Sequence, residues 1–301
     1  MPGDFILPKA LRPGDRIRVV APSSPFDRDL FARGIAWLEQ RYRVELGEHV
    51  LDRNGFLAGD DDARLADLNA ALEAPGVAAI VAARGGYGAG RIAHLANWTA
   101  LRTNPKWLVG FSDTTLLHLE AQRVGVCSLH AENAAGLGRV DEAARNEWLA
   151  ALESPGAPRS LIGTRWIRPG FSEGPLVGGN LTLLFTAHAS GRLTLPRGAI
   201  LALEDVTEAS YRVDRMLSAL FVSGAFDNIA AILVGDFTDC PAGPHGVPID
   251  AVLDERLATL GIPVLAGLGF GHGSPNHPLP FGLGARLDPH TCTVELALEA
   301  S

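Results

Sequence analysis

The chain has 301 residues, a formal net charge of −8 and 47% hydrophobic residues, a length that holds about two domains and a composition typical of an ordinary globular fold. The excess of acid argues against nucleic-acid or anionic-membrane partners, which are bound through clustered Lys and Arg, and no apolar run approaches the ~20 residues of a membrane helix. Cys127, Cys240 and Cys292 are far apart and form no CxxC; with no basic start and apolar run like a signal peptide's, a reducing, cytoplasmic location is expected.

The first half alternates strand-like and helix-like segments. "RIRVVAP" (16–22) is apolar and β-branched, and the following 27–41 segment places Phe31, Ile35 and Leu38 at helical spacing. "RVELG" reads as a second strand. The 61–75 segment sets Leu65, Leu68 and Leu72 on one face, with Asp60 or Asp61 as cap. "VAAIVAAR" (77–84) is apolar throughout, as a strand covered on both faces is. A short helix over 90–97, the strand "KWLVGF" (106–111), the helix "TTLLHLEAQRVG" and the strand "VCSLHA" complete the series. Repeated βα units predict a parallel sheet with helices on both faces.

Residues 156–175, rich in Pro, Gly and Ser, break this rhythm and read as a linker or crossing segment between domains 1–155 and 176–301. Beyond it, "GAILALEDV" (198–206) is strand-like, and the next helix carries Val213, Met216, Leu217, Leu220 and Phe221 on one stripe. "IAAILVGDF" reads as a buried strand, "IDAVLDERLATLG" as a helix and "PVLAGLGF" as a strand. The tail "GARLDPHTCTVELAL" reads as two strands around an Asp-Pro turn. The second domain is therefore also mixed α and β.

Two stretches of the first half can carry chemistry. "RGGYGAGR" (84–91) follows a buried strand and precedes a helix, so its glycines lie at the sheet edge where such folds bind ligands. Gly88, Gly90 and Ala93 match GxGxxA, but no acidic residue ends a second strand about 20 residues on, as a dinucleotide site requires. The bland reading is a tight turn needing positive φ. In "GFSDT", Ser112 has the small Gly110 two positions before it, like a strand–nucleophile–helix turn. On this motif alone, Ser112 reads more readily as a helix N-cap. At a helix start its hydroxyl would sit near the positive dipole end, and the N–H of Asp113 would face a reacting carbonyl oxygen.

A serine nucleophile needs a base and an orienting acid. His94, His118 and His188 fall in helical patterns, and His49, His245 and His290 in polar or turn-like contexts. His130 ends a strand on the ligand edge of the sheet and could line a site. His272 and His277 both lie in the Gly/Pro-rich loop "GLGFGHGSPNHPLPFG", of a kind that holds catalytic residues on a rigid support. Glu204 and Asp205 are charges within an apolar strand, and alternation sends them to opposite faces, so one of the two would share a histidine's site. No HExxH and no His or Cys cluster at ligand spacing is present, and "GDDDAR" reads as helix capping, so neither metal nor cofactor is expected.

These stretches together resemble the LD-carboxypeptidase family of serine peptidases, whose members include muramoyltetrapeptide carboxypeptidases and microcin C self-immunity proteins. The resemblance spans nearly the whole chain. It runs through "LRPGDRIRVVAPSSP", "GFLAGDDDARLADLNAAL", "ARGGYGAGRIAHL", "PKWLVGFSDTTLLHL", "PLVGGNLTLL", "ILALEDVTEASYRVDRML" and "GLGFGHGSPNHPLPFG". It implies an N-terminal flavodoxin-like parallel sheet sandwich, a smaller mixed α/β C-terminal domain, an active site between them, and a homodimer. The family's nucleophile falls on Ser112, its acid on Glu204, its base on His272, and its oxyanion donors on the N–H groups of Gly86 and Asp113. Arg84, Gly85, Tyr87 and His130 are candidate substrate contacts, Arg84 as a carboxylate binder. After "SLH", Ala131-Glu132 replaces the frequent Gly-Pro. The implied activity is hydrolysis of the LD-peptide bond to the terminal D-alanine of murein tetrapeptides in peptidoglycan recycling. The alternatives are a microcin-immunity-type amidase acting on peptidyl- or aminoacyl-nucleotide conjugates, and a non-catalytic nucleotide-binding α/β protein.

Overall fold

The computed structural model describes residues 5–298. Its strands begin with β1 (Arg16–Val20), β2 (Arg43–Leu46), β3 (Val77–Ala82), β4 (Trp107–Gly110) and β5 (Ser128–His130). The middle of the chain supplies β6 (Arg159–Ile162), β7 (Arg165–Arg168), β8 (Ser172–Asn180), β9 (Ala199–Val206), β10 (Ile229–Thr238) and β11 (Val264–Ala266). The last three are β12 (Leu279–Phe281), β13 (Gly284–Asp288) and β14 (Thr293–Leu298).

Two compact units result. One, the Ser112 unit, holds residues 5–155 together with His277–Gly282. Its six-stranded sheet runs β12-β5-β4-β3-β1-β2. The five strands of the first half are parallel, in the spatial order 2-1-3-4-5 of flavodoxin-like folds. β12 closes the edge antiparallel to β5, with Leu279 opposite His130. β3 is buried almost throughout, which explains its unbroken apolar run. The flanking helices start where side chains satisfy free backbone donors. Asp27 caps Arg28–Glu39 by accepting from Asp29 and Leu30, and Asp60 caps Asp61–Glu73 by accepting from Ala63. Phe31, Ile35 and Leu38 face the core as their spacing predicts, whereas Leu65 is only half-buried beside a buried Arg64. Arg64 is held by the Pro22 carbonyl and by Asp61. The helices Trp98–Thr103 and Glu142–Glu153 were not legible as periodic segments.

The other, the His272 unit, holds Gly156–Asn276 and residues 283–298. Its eight-stranded sheet runs β6-β14-β13-β8-β9-β10-β11-β7. β8 to β11 are parallel, and antiparallel strands flank them on both sides. Val213, Met216, Leu217 and Leu220 of the helix Ser210–Val222 are buried, while Phe221, expected on the same stripe, is only half-buried. β13 and β14 pair antiparallel around the Asp-Pro turn.

Two boundaries differ from the sequence expectation. Residues 156–175 are not a linker: they form β6, β7 and the start of β8, integral to the second sheet. Their Pro and Gly residues punctuate short edge strands, which composition alone does not distinguish from a connector. Residues 277–282, expected in the second domain, supply an edge strand of the first sheet. Among the described residues no helix is long and apolar enough to cross a membrane, and no three His, Cys, Asp or Glu side chains gather as a metal site.

Candidate active site

The Ser112 unit places two loops at the C-terminal ends of adjacent parallel strands, β3 and β4. The first is the glycine-rich loop 84–88 and the second is the turn at Ser112. Gly110 has φ 157° and Ser112 φ 63°. A left-handed serine costs on the order of 1 kcal/mol or more and persists only where its surroundings enforce it. Ser112 opens a single 3-10 turn that runs into the helix Thr115–Arg123, so it is both helix start and tip of a sharp strand–helix turn.

Gly85 lies directly against this turn. A Cβ there would stand 2.7 Å from Ser112 Cβ and 3.0 Å from its Oγ. Gly86 has φ 102°, and a Cβ on it would meet Ser24 Oγ at 2.6 Å. Ser24 in turn braces the loop: its Oγ accepts from Tyr87 N–H at 3.0 Å, and its own N–H donates to Gly85 O. The loop is thus built for close approach, with glycine wherever a side chain would collide.

The Asp113 side chain joins the two loops. Its carboxylate accepts the Ala89 N–H at 2.7 Å, and it is buried. Burial pushes its carboxyl above the usual range, opposed by the nearby Ser23 hydroxyl, the Ala89 N–H and the Arg64 guanidinium. Only its backbone N–H was assigned a role from the sequence. The signal for the carboxylate was its adjacency to Ser112, and the signal for Ser24 was a polar pair ending β1 on the ligand edge.

The remaining candidates in this unit fall in different environments. Arg84 is exposed and donates from Nη1 to Pro25 O at 2.6 Å. Tyr87 is exposed, its ring edge-on to Phe56 at 5.6 Å between centroids. His130 is completely buried among Phe111, Phe281 and His118, in the interior of its unit. His277 lies on this unit too, with Nδ1 against Glu147 Oε2 at 2.6 Å.

In the His272 unit, His272 Nδ1 lies 2.7 Å from Glu204 Oε2. The Glu204 side chain is 0% exposed and that of His272 18%. A carboxylate facing Nδ1 makes that nitrogen the proton carrier and Nε2 the ring's acceptor nitrogen. Gly271, at φ 113°, permits the approach, since a Cβ there would stand 2.7 Å from Glu204 Oε2. Asn276 Oδ1 accepts the Gly271 N–H at 2.9 Å and fixes the loop. Asp205 points the other way. It accepts from Asn180 Nδ2, from Thr182 N–H and Oγ1, and from Val206 N–H, which anchors the start of the helix Leu181–Ala189. Glu204, not Asp205, therefore meets the histidine.

The LD-carboxypeptidase N-terminal domain family matches residues 17–131, and the LD-carboxypeptidase C-terminal domain family matches residues 173–287. A putative carboxypeptidase of Streptomyces coelicolor is 40% identical over 97% of this chain and 96% of its own. A murein tetrapeptide carboxypeptidase of Pseudomonas aeruginosa is 36% identical over 91% of this chain and 93% of its own. Among solved structures, an MccF-like protein from Bacillus anthracis superposes with a TM-score of 0.86 over 98% of this chain and 100% of its own, at 22% identity, a likeness of fold alone.

Proposed function

The chain belongs to the LD-carboxypeptidase family, and on that premise we propose that it removes the terminal D-alanine from murein tetrapeptides, with Ser112 as nucleophile, His272 as base and Glu204 as its orienting acid. The observation that carries the reading is the Glu204–His272 pair: a fully buried carboxylate holding an imidazole through Nδ1 at 2.7 Å. It favours His272 over His277, whose partner Glu147 is 46% exposed and which is itself paired through Nδ1 outside that unit. The substrate class follows the Pseudomonas aeruginosa relative, a murein tetrapeptide carboxypeptidase at 36% identity.

In this reading His272 Nε2 takes the proton of Ser112 as Oγ attacks the carbonyl carbon preceding D-alanine. The oxyanion accepts hydrogen bonds from the Gly86 and Asp113 N–H groups. The C–N bond then breaks, His272 returns the proton to the leaving amine, and D-alanine departs. Water, activated by His272, attacks the acyl-Ser112 carbonyl and releases the tripeptide acid. Arg84 is the candidate for the substrate's terminal carboxylate. Arg84→Lys should narrow the preference for a D-alanine over a D-alaninamide leaving group, and an unchanged preference rules Arg84 out.

The test is turnover of a muramyl tetrapeptide by wild type, Ser112→Ala and His272→Ala, beside an aminoacyl-sulfamoyl adenylate. Each variant should lose at least about 10³ in kcat. Turnover of the adenylate without the tetrapeptide would move the assignment to the amidase class. Recycling of cell-wall fragments in the cytoplasm is the setting this proposal implies.

A further inference from the structure

His118 is a buried titratable residue that the triad does not use. It lies on the helix Thr115–Arg123 and is 2% exposed. Its Nε2 is 2.9 Å from Gly110 O and its Nδ1 is 2.8 Å from Ser128 Oγ. A carbonyl oxygen only accepts, so Nε2 carries the proton; Nδ1 is then an acceptor and the Ser128 hydroxyl donates to it. The Phe281 ring packs edge-on at 5.4 Å, and His130 lies at 6.4 Å. Burial pushes the His118 imidazole down to about 4, so it remains neutral and this tautomer is preserved.

The position of the accepting carbonyl matters more than its identity. Gly110 O and Phe111 N–H belong to one peptide plane, which is followed by a single further plane, Phe111 to Ser112, before the left-handed Ser112. The oxygen end accepts from His118 Nε2 and from Ala131 N–H at 3.2 Å, and the nitrogen end donates to Asn133 Oδ1 at 3.4 Å. Ala131 N–H already satisfies the carbonyl as a strand partner would. The imidazole bond is additional, and what it adds is angular restraint on a plane whose rotation would swing Phe111 and Ser112. It also ties the helix after the nucleophile to the strand before it.

We propose that His118 is a positioning residue for the nucleophile: its Nε2–H fixes the peptide plane that leads into the Ser112 turn, and Ser128 fixes the tautomer that makes this possible. The inference rests on Ser112 being the nucleophile.

The experiment measures kcat and KM on a muramyl tetrapeptide, with thermal unfolding in parallel, for wild type, His118→Leu, His118→Gln, Ser128→Ala and Ser112→Ala. His118→Leu should lower kcat about 30-fold or more with KM within about twofold, because a misplaced nucleophile loses rate and not ground-state binding. His118→Gln retains an N–H donor near the ε position and should recover to within about fivefold of wild type. Ser128→Ala should fall between them, since the imidazole can then adopt the tautomer whose lone pair faces the carbonyl. A kcat for His118→Leu within about twofold of wild type overturns the proposal, as does an equal kcat loss in the Leu and Gln variants. If His118→Leu does not fold, Ser128→Ala decides: a lowered kcat at constant KM supports the proposal, and an unchanged kcat overturns it. Full activity in Ser112→Ala removes the proposed function itself; an inactive Ser112→Ala beside a fully active His118→Leu removes this inference alone.

Discussion

The two units place their candidate catalytic groups by opposite means. In the Ser112 unit the candidate hydroxyl is placed by backbone. A left-handed Ser112, Gly85 pressed against it and Gly86 over Ser24 leave no room for added atoms. In the His272 unit the imidazole is placed by side chains. A buried carboxylate at 2.7 Å and a glycine that lets it approach form a site where no charge can be removed. The contrast teaches where each unit is fragile: the first to gained volume, the second to lost hydrogen bonding.

The largest effect that sharpens this contrast is Glu204→Gln. The amide keeps the volume but no longer enforces Nδ1–H, so kcat should fall about 10³-fold with the fold intact. A fall below about tenfold would mean that volume, not charge, places His272. Next is Gly85→Ala, at a position outside the left-handed region. The added methyl displaces Ser112, and a displacement of an ångström costs about 10² in rate. Steady-state kinetics with unchanged kcat would break the volume argument for the Ser112 unit.

A pH measurement follows in size. An ordinary imidazole binds its proton near 6.5, and burial brings His118 down to about 4. Between those values the unfolded chain holds more protons, so the stability contributed by this neutral imidazole falls as pH drops from about 6.5 to about 4 and is gone below that. The shift corresponds to about 3 kcal/mol. Urea unfolding across that window should show a flatter acid limb for His118→Gln than for wild type, and parallel curves would remove the buried neutral imidazole from the account. The smallest effect is Ser24→Ala, which loses the Tyr87 N–H brace. It should lower kcat about two- to fivefold by loosening the Gly86 loop, and a loss as large as that of Gly85→Ala would show the loop to be held by Ser24 alone.

Much of this was legible in the sequence, for reasons that differ by residue. The parallel sheet was visible because β3 and β4 are unbroken apolar runs, β1 carries a β-branched pattern, and Asp-capped helices precede β2 and β3. Ser112 was visible through Gly110, and Glu204 as a charge inside a buried strand. What sequence could not give were the long-range partners. The return of Leu279–Phe281 to pair with β5 depends on a chain reversal that no local pattern encodes. Strands β6 and β7 were hidden because short edge strands carry the same Pro, Gly and Ser as a linker. His118 read as one more helical histidine, since its value lies in which carbonyl its ring reaches.

The central claim is that Ser112 and the Glu204–His272 pair together cleave a terminal D-alanine. Its most direct test is mass spectrometry of a muramyl tetrapeptide incubated with wild type and with Ser112→Ala. The account predicts loss of one D-alanine from the wild-type reaction and an intact tetrapeptide with the variant. Release of D-alanine by Ser112→Ala at the wild-type rate would contradict it.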